Sequence, residues 1–247
     1  MAVFVLVHPA WFGGWCWRKL IPLLEHHGHS VHAPTLTGLG ERSHLAHPGV
    51  GMQTHVDDVV NVLTYADLRE LILVGTSSSG AVISGVADRV PERISRLVYV
   101  DALVPKGGQA LWDLIPPPLR SPMEALVETE GFGWLLPRFS AQPWDQFVRE
   151  AWQVNNEADL RWMLARLRPT PVGHFTGPVR LMNPTAEQLP RTYIRCRGWP
   201  SAGLDRYAQT ASQDTRWRLL ELDSNHLPYI TDPHQLAPML LELAASR

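Results

Sequence analysis

Apolar residues occur along this chain as short unbroken runs, separated by stretches in which they recur at helical spacing. Val3–Val7 is a continuous β-branched and aromatic run, which predicts a buried strand. Residues 15–27 carry Leu20, Ile21, Leu23 and Leu24 and predict a helix closed by Gly28. Residues 31–33 predict a short strand, and residues 34–52 a long glycine-rich loop. Val56, Val59, Val60 and Leu63 follow Thr54, a candidate helix cap, at helical spacing. Leu71-Ile72-Leu73-Val74 reads as another buried strand, with a helix-like stretch at 81–90 behind it. Residues 96–100 form one more apolar run, ending in Asp101. Strands that alternate with helices, and that are apolar throughout, predict a parallel sheet covered on both faces.

The alternation stops at residue 106. Residues 106–190 are rich in proline and tryptophan and read as mainly helical, with Pro116-Pro117-Pro118 interrupting them early. Trp112, Trp134, Trp144, Trp152 and Trp162 all fall in this stretch. Strand patterning returns at 192–196 and at Trp217–Leu222, with helices at 204–212 and 235–245. The expected organisation is an α/β core, residues 1–105 and 190–247, with a helical cap, residues 106–189, inserted between its halves. No internal repeat or low-complexity tract appears.

Composition narrows the function. A chain of 247 residues, 45% hydrophobic and 19% charged, can bury a sizeable core. A net charge of -2 gives no electrostatic footprint for nucleic acid or an anionic membrane. Cys16 and Cys196 stand far apart and suggest neither a disulfide framework nor a zinc site. The apolar run at residues 2–7 has no basic region before it, so the expected location is cytoplasmic. The expected partner is a small-molecule substrate, with no nucleic acid and no membrane; a homodimer stays open.

Candidate chemistry centres on residues 71–80, where the strand runs straight into Gly75-Thr76-Ser77-Ser78-Ser79-Gly80. A serine on a sharp strand-to-helix turn, flanked by small residues, is a nucleophile elbow and points to an α/β-hydrolase fold. The motif is Gly-x-Ser-x-Ser, one residue from Gly-x-Ser-x-Gly, with Ser77 as the candidate nucleophile. A plain turn joining strand to helix would look similar. A serine hydroxyl needs a base, and His226 follows the last strand, at the sheet edge where such loops gather. Two carboxylates compete to orient that histidine. Asp101 ends a buried run, where an unpartnered charge would be costly; Asp205 is the alternative acid. The candidate oxyanion-hole donors are the backbone N–H groups of Ala10 and Ser78, since Pro9 has none. Trp11, Phe12, Trp134 and Leu227 are the candidates for lining a substrate pocket. His26, His27, His29 and His32 cluster, but no carboxylate or cysteine joins them in a ligand pattern, so no metal or other cofactor is expected.

The chain resembles the family of plant methyl-ester esterases, hydroxynitrile lyases and bacterial pyrethroid-hydrolase-like esterases within the α/β-hydrolases. The resemblance rests on Val5-Leu6-Val7-His8-x-Ala10-Trp11-x-Gly13-Gly14-Trp15-x-Trp17 and on Gly28-His29-x-Val31-x-Ala33-Pro34-x-Leu36-x-Gly38-x-Gly40. Thr54-His55-Val56-x-Asp58-Val59-Val60 and Leu97-Val98-Tyr99-Val100-Asp101-Ala102 extend it. It is closest to the bacterial esterase branch, which implies Ser77, Asp101 and His226 as the triad. Thr76, Ser78 and Ser79 stand where that family usually has His, Tyr and Gly, and Pro9 where it has Gly. The implied activity is a serine esterase acting on small to medium lipophilic or aryl esters, or lactones. The alternatives are a lyase, cyclase or decarboxylase on the same residues, or a ligand-binding protein with vestigial activity. Cyanide chemistry ranks low, because the hydroxynitrile lyases place a lysine directly after the histidine and Leu227 stands here.

Overall fold

The computed structural model describes residues 1–199 and 201–245. Six parallel strands form the central sheet: β1 (Val3–Val7), β2 (Ser30–His32), β3 (Leu71–Thr76), β4 (Ile94–Val100), β7 (Arg191–Cys196) and β8 (Trp217–Leu222). Two more strands, β5 (Leu135–Leu136) and β6 (Thr170–Pro171), pair antiparallel outside it. The sheet order is β2-β1-β3-β4-β7-β8. The chain therefore winds outward from β1 to β2, returns to β3 on the other side of β1, and continues outward. Loops leaving neighbouring strands on opposite sides of such a reversal open a crevice at the carboxyl edge. Residues 8–14, Ser77 and Asp101 all follow strand ends at that edge.

The buried strands are apolar on both faces because helices cover both. Helices α1 (Ile21–Glu25), α2 (Met52–Tyr65) and α3 (Ser79–Arg89) connect the first four sheet strands, and Ala202–Gln213 and Pro233–Ala245 follow β7 and β8. Gly80 shows how tightly α3 seats. A Cβ there would lie 2.2 Å from the Leu103 carbonyl oxygen, which no rotamer change relieves.

Three local expectations are corrected. Residues 15–27 do not form one helix: a 3-10 turn, Gly14–Trp17, precedes the five-residue α1. Pro22 lies in the first turn of α1, where its missing N–H costs nothing, and so cannot sit inside a longer helix. Thr54 is the third residue of α2 rather than its cap; its Oγ1 accepts the N–H of Gly51, the actual N-cap, at 3.3 Å. The proline triplet does not interrupt a helix but starts one: Pro116 caps Pro117–Thr129 and Pro117 is its first residue.

Between β4 and β7 the chain carries the helices Leu111–Leu114, Pro117–Thr129, Trp144–Glu150, Glu157–Leu164, Gly173–Thr176 and Pro184–Glu187, together with the β5–β6 pair. Two-residue strands show no alternation, and the sequence pattern misses them. Among the described residues, no helix is long and apolar enough to cross a membrane.

Candidate active site

The turn from β3 to α3 places Ser77 at φ 50°, a left-handed backbone that a non-glycine residue adopts only when its surroundings impose it. Three hydrogen bonds impose it here. Ser77 N–H donates to Val100 O at 3.4 Å, and Ser77 O accepts from Leu103 N–H at 2.9 Å and Gly80 N–H at 3.3 Å. Gly75 has no room for a side chain, since a Cβ would meet Ile83 and the Ser79 carbonyl at 3.0 Å. Ser79, where a glycine is usual, uses its hydroxyl instead. Its Oγ accepts Thr76 N–H at 2.8 Å and lies 2.8 Å from the carbonyl oxygens of Val7 and Thr76. The departure thus ties the elbow to the end of β1. Of the three consecutive serines, Ser78 and Ser79 are buried, and Ser77 alone is half-exposed.

Asp101 and His226 meet beneath this turn's edge of the sheet. His226 Nδ1 lies 2.8 Å from Asp101 Oδ2, and both residues are buried. Asp101, at φ 47°, is placed by its own N–H, which donates to Ile194 O at 2.8 Å. A buried carboxylate needs several donors to offset lost hydration. Asp101 Oδ1 accepts from Arg195 Nη1 at 2.7 Å and from Cys196 N–H at 3.1 Å. Arg195 is the side chain that sequence reasoning missed. It is itself buried, on β7, and its Nε reaches Asp205 Oδ1 at 2.8 Å. Asp205 therefore pairs with Arg195 and makes no bond to His226 among the described residues; it sits in the exposed first turn of Ala202–Gln213, with its side chain 61% accessible. No hydrogen bond joins Ser77 Oγ to His226 among the described residues, and catalytic hydrogen bonds are commonly loose before substrate binds.

The expected oxyanion arms are both at this edge, but one is occupied. Ala10 N–H donates to Ser78 Oγ at 2.9 Å, and the next amide, Trp11 N–H, donates to Thr170 Oγ1 at 2.8 Å. Ser78 precedes the first turn of α3, where helix geometry leaves N–H groups without intrahelical partners. Behind Ser78 runs a buried chain: Ser78 Oγ to His174 Nε2 at 3.0 Å, His174 Nδ1 to His55 Nδ1 at 2.8 Å, and His55 Nε2 to Thr37 O at 2.9 Å. His55 enters the sequence reading only within the family motif at residues 54–60, and His174 not at all.

His8, like His55, His174 and His226, is buried. Its Nδ1 donates to Pro9 O at 2.9 Å and its Nε2 accepts Leu36 N–H at 3.0 Å, so only the neutral ring fits. Burial accordingly holds its pKa down to about 3, against 6.5 for an unburied ring, and lowers those of His55 and His174 in the same way. The unfolded chain then binds protons that the fold rejects as pH falls below 6.5. At pH 5 this effect is expected to remove about 2 kcal/mol of stability for His8 alone, relative to pH 7. Urea unfolding at the two pH values measures it, and equal stability at both would contradict the assignment.

Rings from the β1 loop and the β4–β7 insertion form one aromatic cluster. Trp11 packs on Trp144 at 5.5 Å, Trp144 on Trp152 at 5.6 Å, and Trp152 on Phe12 at 5.8 Å. The cluster reaches His226, whose ring is 6.2 Å from Trp152 and 4.0 Å from Trp199. Trp11, Phe12 and Leu227 are buried in this region. Trp134 is not part of it: its backbone bonds to Gly131 and Val172, and no ring contact joins it to the cluster among the described residues. Trp152 and Trp199 are the rings beside His226.

The sequence pattern of the alpha/beta hydrolase family matches residues 4–239. A carbendazim-hydrolysing esterase from Nocardioides sp. (strain SG-4G) is 35% identical, covering 98% of this chain and 100% of its own length. Methylesterase 18 of Arabidopsis thaliana is 29% identical over 98% of this chain and 97% of its own. An extracellular α/β-hydrolase from a Paenibacillus species superposes with a TM-score of 0.84 over 98% of both chains at 24% identity, a likeness of fold. With its elbow, its strand order and a family match from the first strand into the last helix, this chain belongs to the α/β-hydrolase family.

Proposed function

We propose that the protein is a serine carboxylesterase in which Ser77 is the nucleophile, His226 the base and Asp101 the acid that orients it. The observation that carries this reading is the buried His226–Asp101 pair, 2.8 Å apart, at the sheet edge where Ser77 turns outward at φ 50°. Because Nδ1–H of His226 faces a carboxylate, the neutral ring keeps its lone pair on Nε2, the atom that must take a proton. Ser77 Oγ gives that proton to His226 and bonds to the ester carbonyl carbon, leaving the negative charge on the carbonyl oxygen. The Ala10 and Ser78 N–H groups stabilise this charge. Collapse expels the alkoxide, which takes the proton from His226; water then repeats the sequence and releases the acid.

Support for ester chemistry also comes from relatives named as esterases over essentially the whole chain. The aromatic cluster around Trp11, Phe12, Trp144 and Trp152 favours a small to medium lipophilic or aryl ester, or a lactone, as substrate. Residues 106–189 act in this reading as a cap over the site, and the partner is a small molecule. A cytoplasmic location is compatible with two buried cysteines that form no disulfide.

The test is a series of p-nitrophenyl esters from acetate to dodecanoate. Hydrolysis is expected to be fastest on short acyl chains and to fall as the chain outgrows the aromatic enclosure. No hydrolysis above the uncatalysed rate with any member would reject the esterase reading in favour of a lyase or binding role.

A further inference from the structure

The Ser78–His174–His55 chain has only one consistent arrangement of protons. The Thr37 carbonyl can only accept, so His55 Nε2 carries a hydrogen. Burial lowers the His55 pKa, so at neutral pH its ring is neutral and Nδ1 is an acceptor. His174 Nδ1, 2.8 Å away, must then be the donor. The His174 ring is likewise held neutral by burial, which leaves its Nε2 as an acceptor. Ser78 Oγ, 3.0 Å from that nitrogen, has to give it its only proton. Ser78 therefore turns lone pairs, not a donor, toward Ala10, whose N–H it accepts at 2.9 Å. Three buried side chains hold this state, and each polar atom in it is satisfied.

We propose that Ser78 Oγ, held by His174 and His55, is a built-in occupant of the oxyanion hole's Ala10 arm, which the substrate oxygen must displace. A single N–H has a single direction, so an oxygen arriving at Ala10 competes with Ser78 for it. A neutral ester carbonyl is no better an acceptor than a hydroxyl and gains little by the exchange. A full oxyanion is a much stronger acceptor and wins. The device thus withholds one donor from the bound ester, and the transition state gains that donor only by breaking the Ser78 bond, so the occupant lowers kcat/KM by about that bond's net worth. His174 and His55 are positioning residues: they touch no substrate and act through Ser78. The residue pair at 78 and 174 sets how strongly the site holds unreacted ester.

This inference rests on Ser77 as the nucleophile, and its test separates the two. In Ser78→Ala the Ala10 N–H is free. Losing one neutral competitor is expected to raise kcat/KM for p-nitrophenyl acetate about three- to tenfold, chiefly through a lower KM. Binding of a boronic acid that mimics the tetrahedral intermediate should tighten by a similar factor. A role for Ser78 that is merely structural would lower kcat/KM, and an unchanged or lower value overturns the proposal. Concentrations are normalised by thermal unfolding and by circular dichroism. A second readout needs no turnover. The Ala10 amide proton resonance should move upfield in Ser78→Ala as its acceptor is lost, and a His174 Nε2 nitrogen signal typical of an unprotonated acceptor should shift with it. An unmoved Ala10 resonance, or a protonated His174 Nε2 in the parent protein at neutral pH, also overturns it. If the parent protein and Ser77→Ala hydrolyse esters equally, the nucleophile reading fails, while the two resonances still decide on the occupant.

Discussion

Ser77→Ala is expected to lower kcat/KM for a short p-nitrophenyl ester by about 10⁴- to 10⁶-fold, leaving the fold intact. Without Oγ no acyl-enzyme forms, and what remains is the effect of oxyanion donors and binding on direct attack by water. The substitution removes one half-exposed hydroxyl that makes no hydrogen bond among the described residues. Stability should therefore change by no more than about 0.5 kcal/mol. Initial rates and a melting curve on the same preparation check both halves. A variant that melts normally and keeps more than a small fraction of its activity would remove Ser77 from the mechanism.

The second large effect falls on Asp101. Asp101→Asn should cost about 10³- to 10⁴-fold in kcat, whereas Asp205→Asn should cost less than about tenfold. An asparagine can offer its NH₂ to His226 Nδ1, and the ring would then carry its proton on Nε2, where it cannot accept from serine. The same change sets the buried Arg195 against a neutral group, so Asp101→Asn should also unfold at lower temperature. Asp205 lies on the far side of Arg195, exposed, and screens rather than orients. Parallel kinetics on the two variants distinguish them. A larger loss in Asp205→Asn would transfer the acid's role to that residue.

The sheet and the elbow were legible because each depends on neighbours in sequence. Val3–Val7 and Trp217–Leu222 are strands at the expected bounds, and a serine among small residues after an apolar run is a local signal. Asp101 and His226 could be paired in advance because each directly follows a strand or its loop, and parallel strands bring such positions to one edge. What was not legible depends on side chains that meet from distant positions. Arg195 reads in the sequence as one charge in an otherwise apolar strand, and only its 2.7 Å contact shows that it holds Asp101. His55 and His174 are separated by 119 residues and Ser78 and His174 by 96, so no spacing rule connects them. Ser79 stands where the family usually has glycine, and only the fold shows its hydroxyl bonded to β1 and β3. Nothing in the sequence ranks its ten tryptophans, and Trp152 and Trp199 are the ones that the fold sets beside His226.

Stoichiometric labelling with a fluorophosphonate, followed by peptide mapping, probes most directly whether this fold activates a particular serine. One equivalent should attach per chain, all of it on Ser77, and His226→Ala should abolish the reaction. A label found on Ser78, or a protein that takes up none while folded, would contradict an activated hydroxyl at position 77.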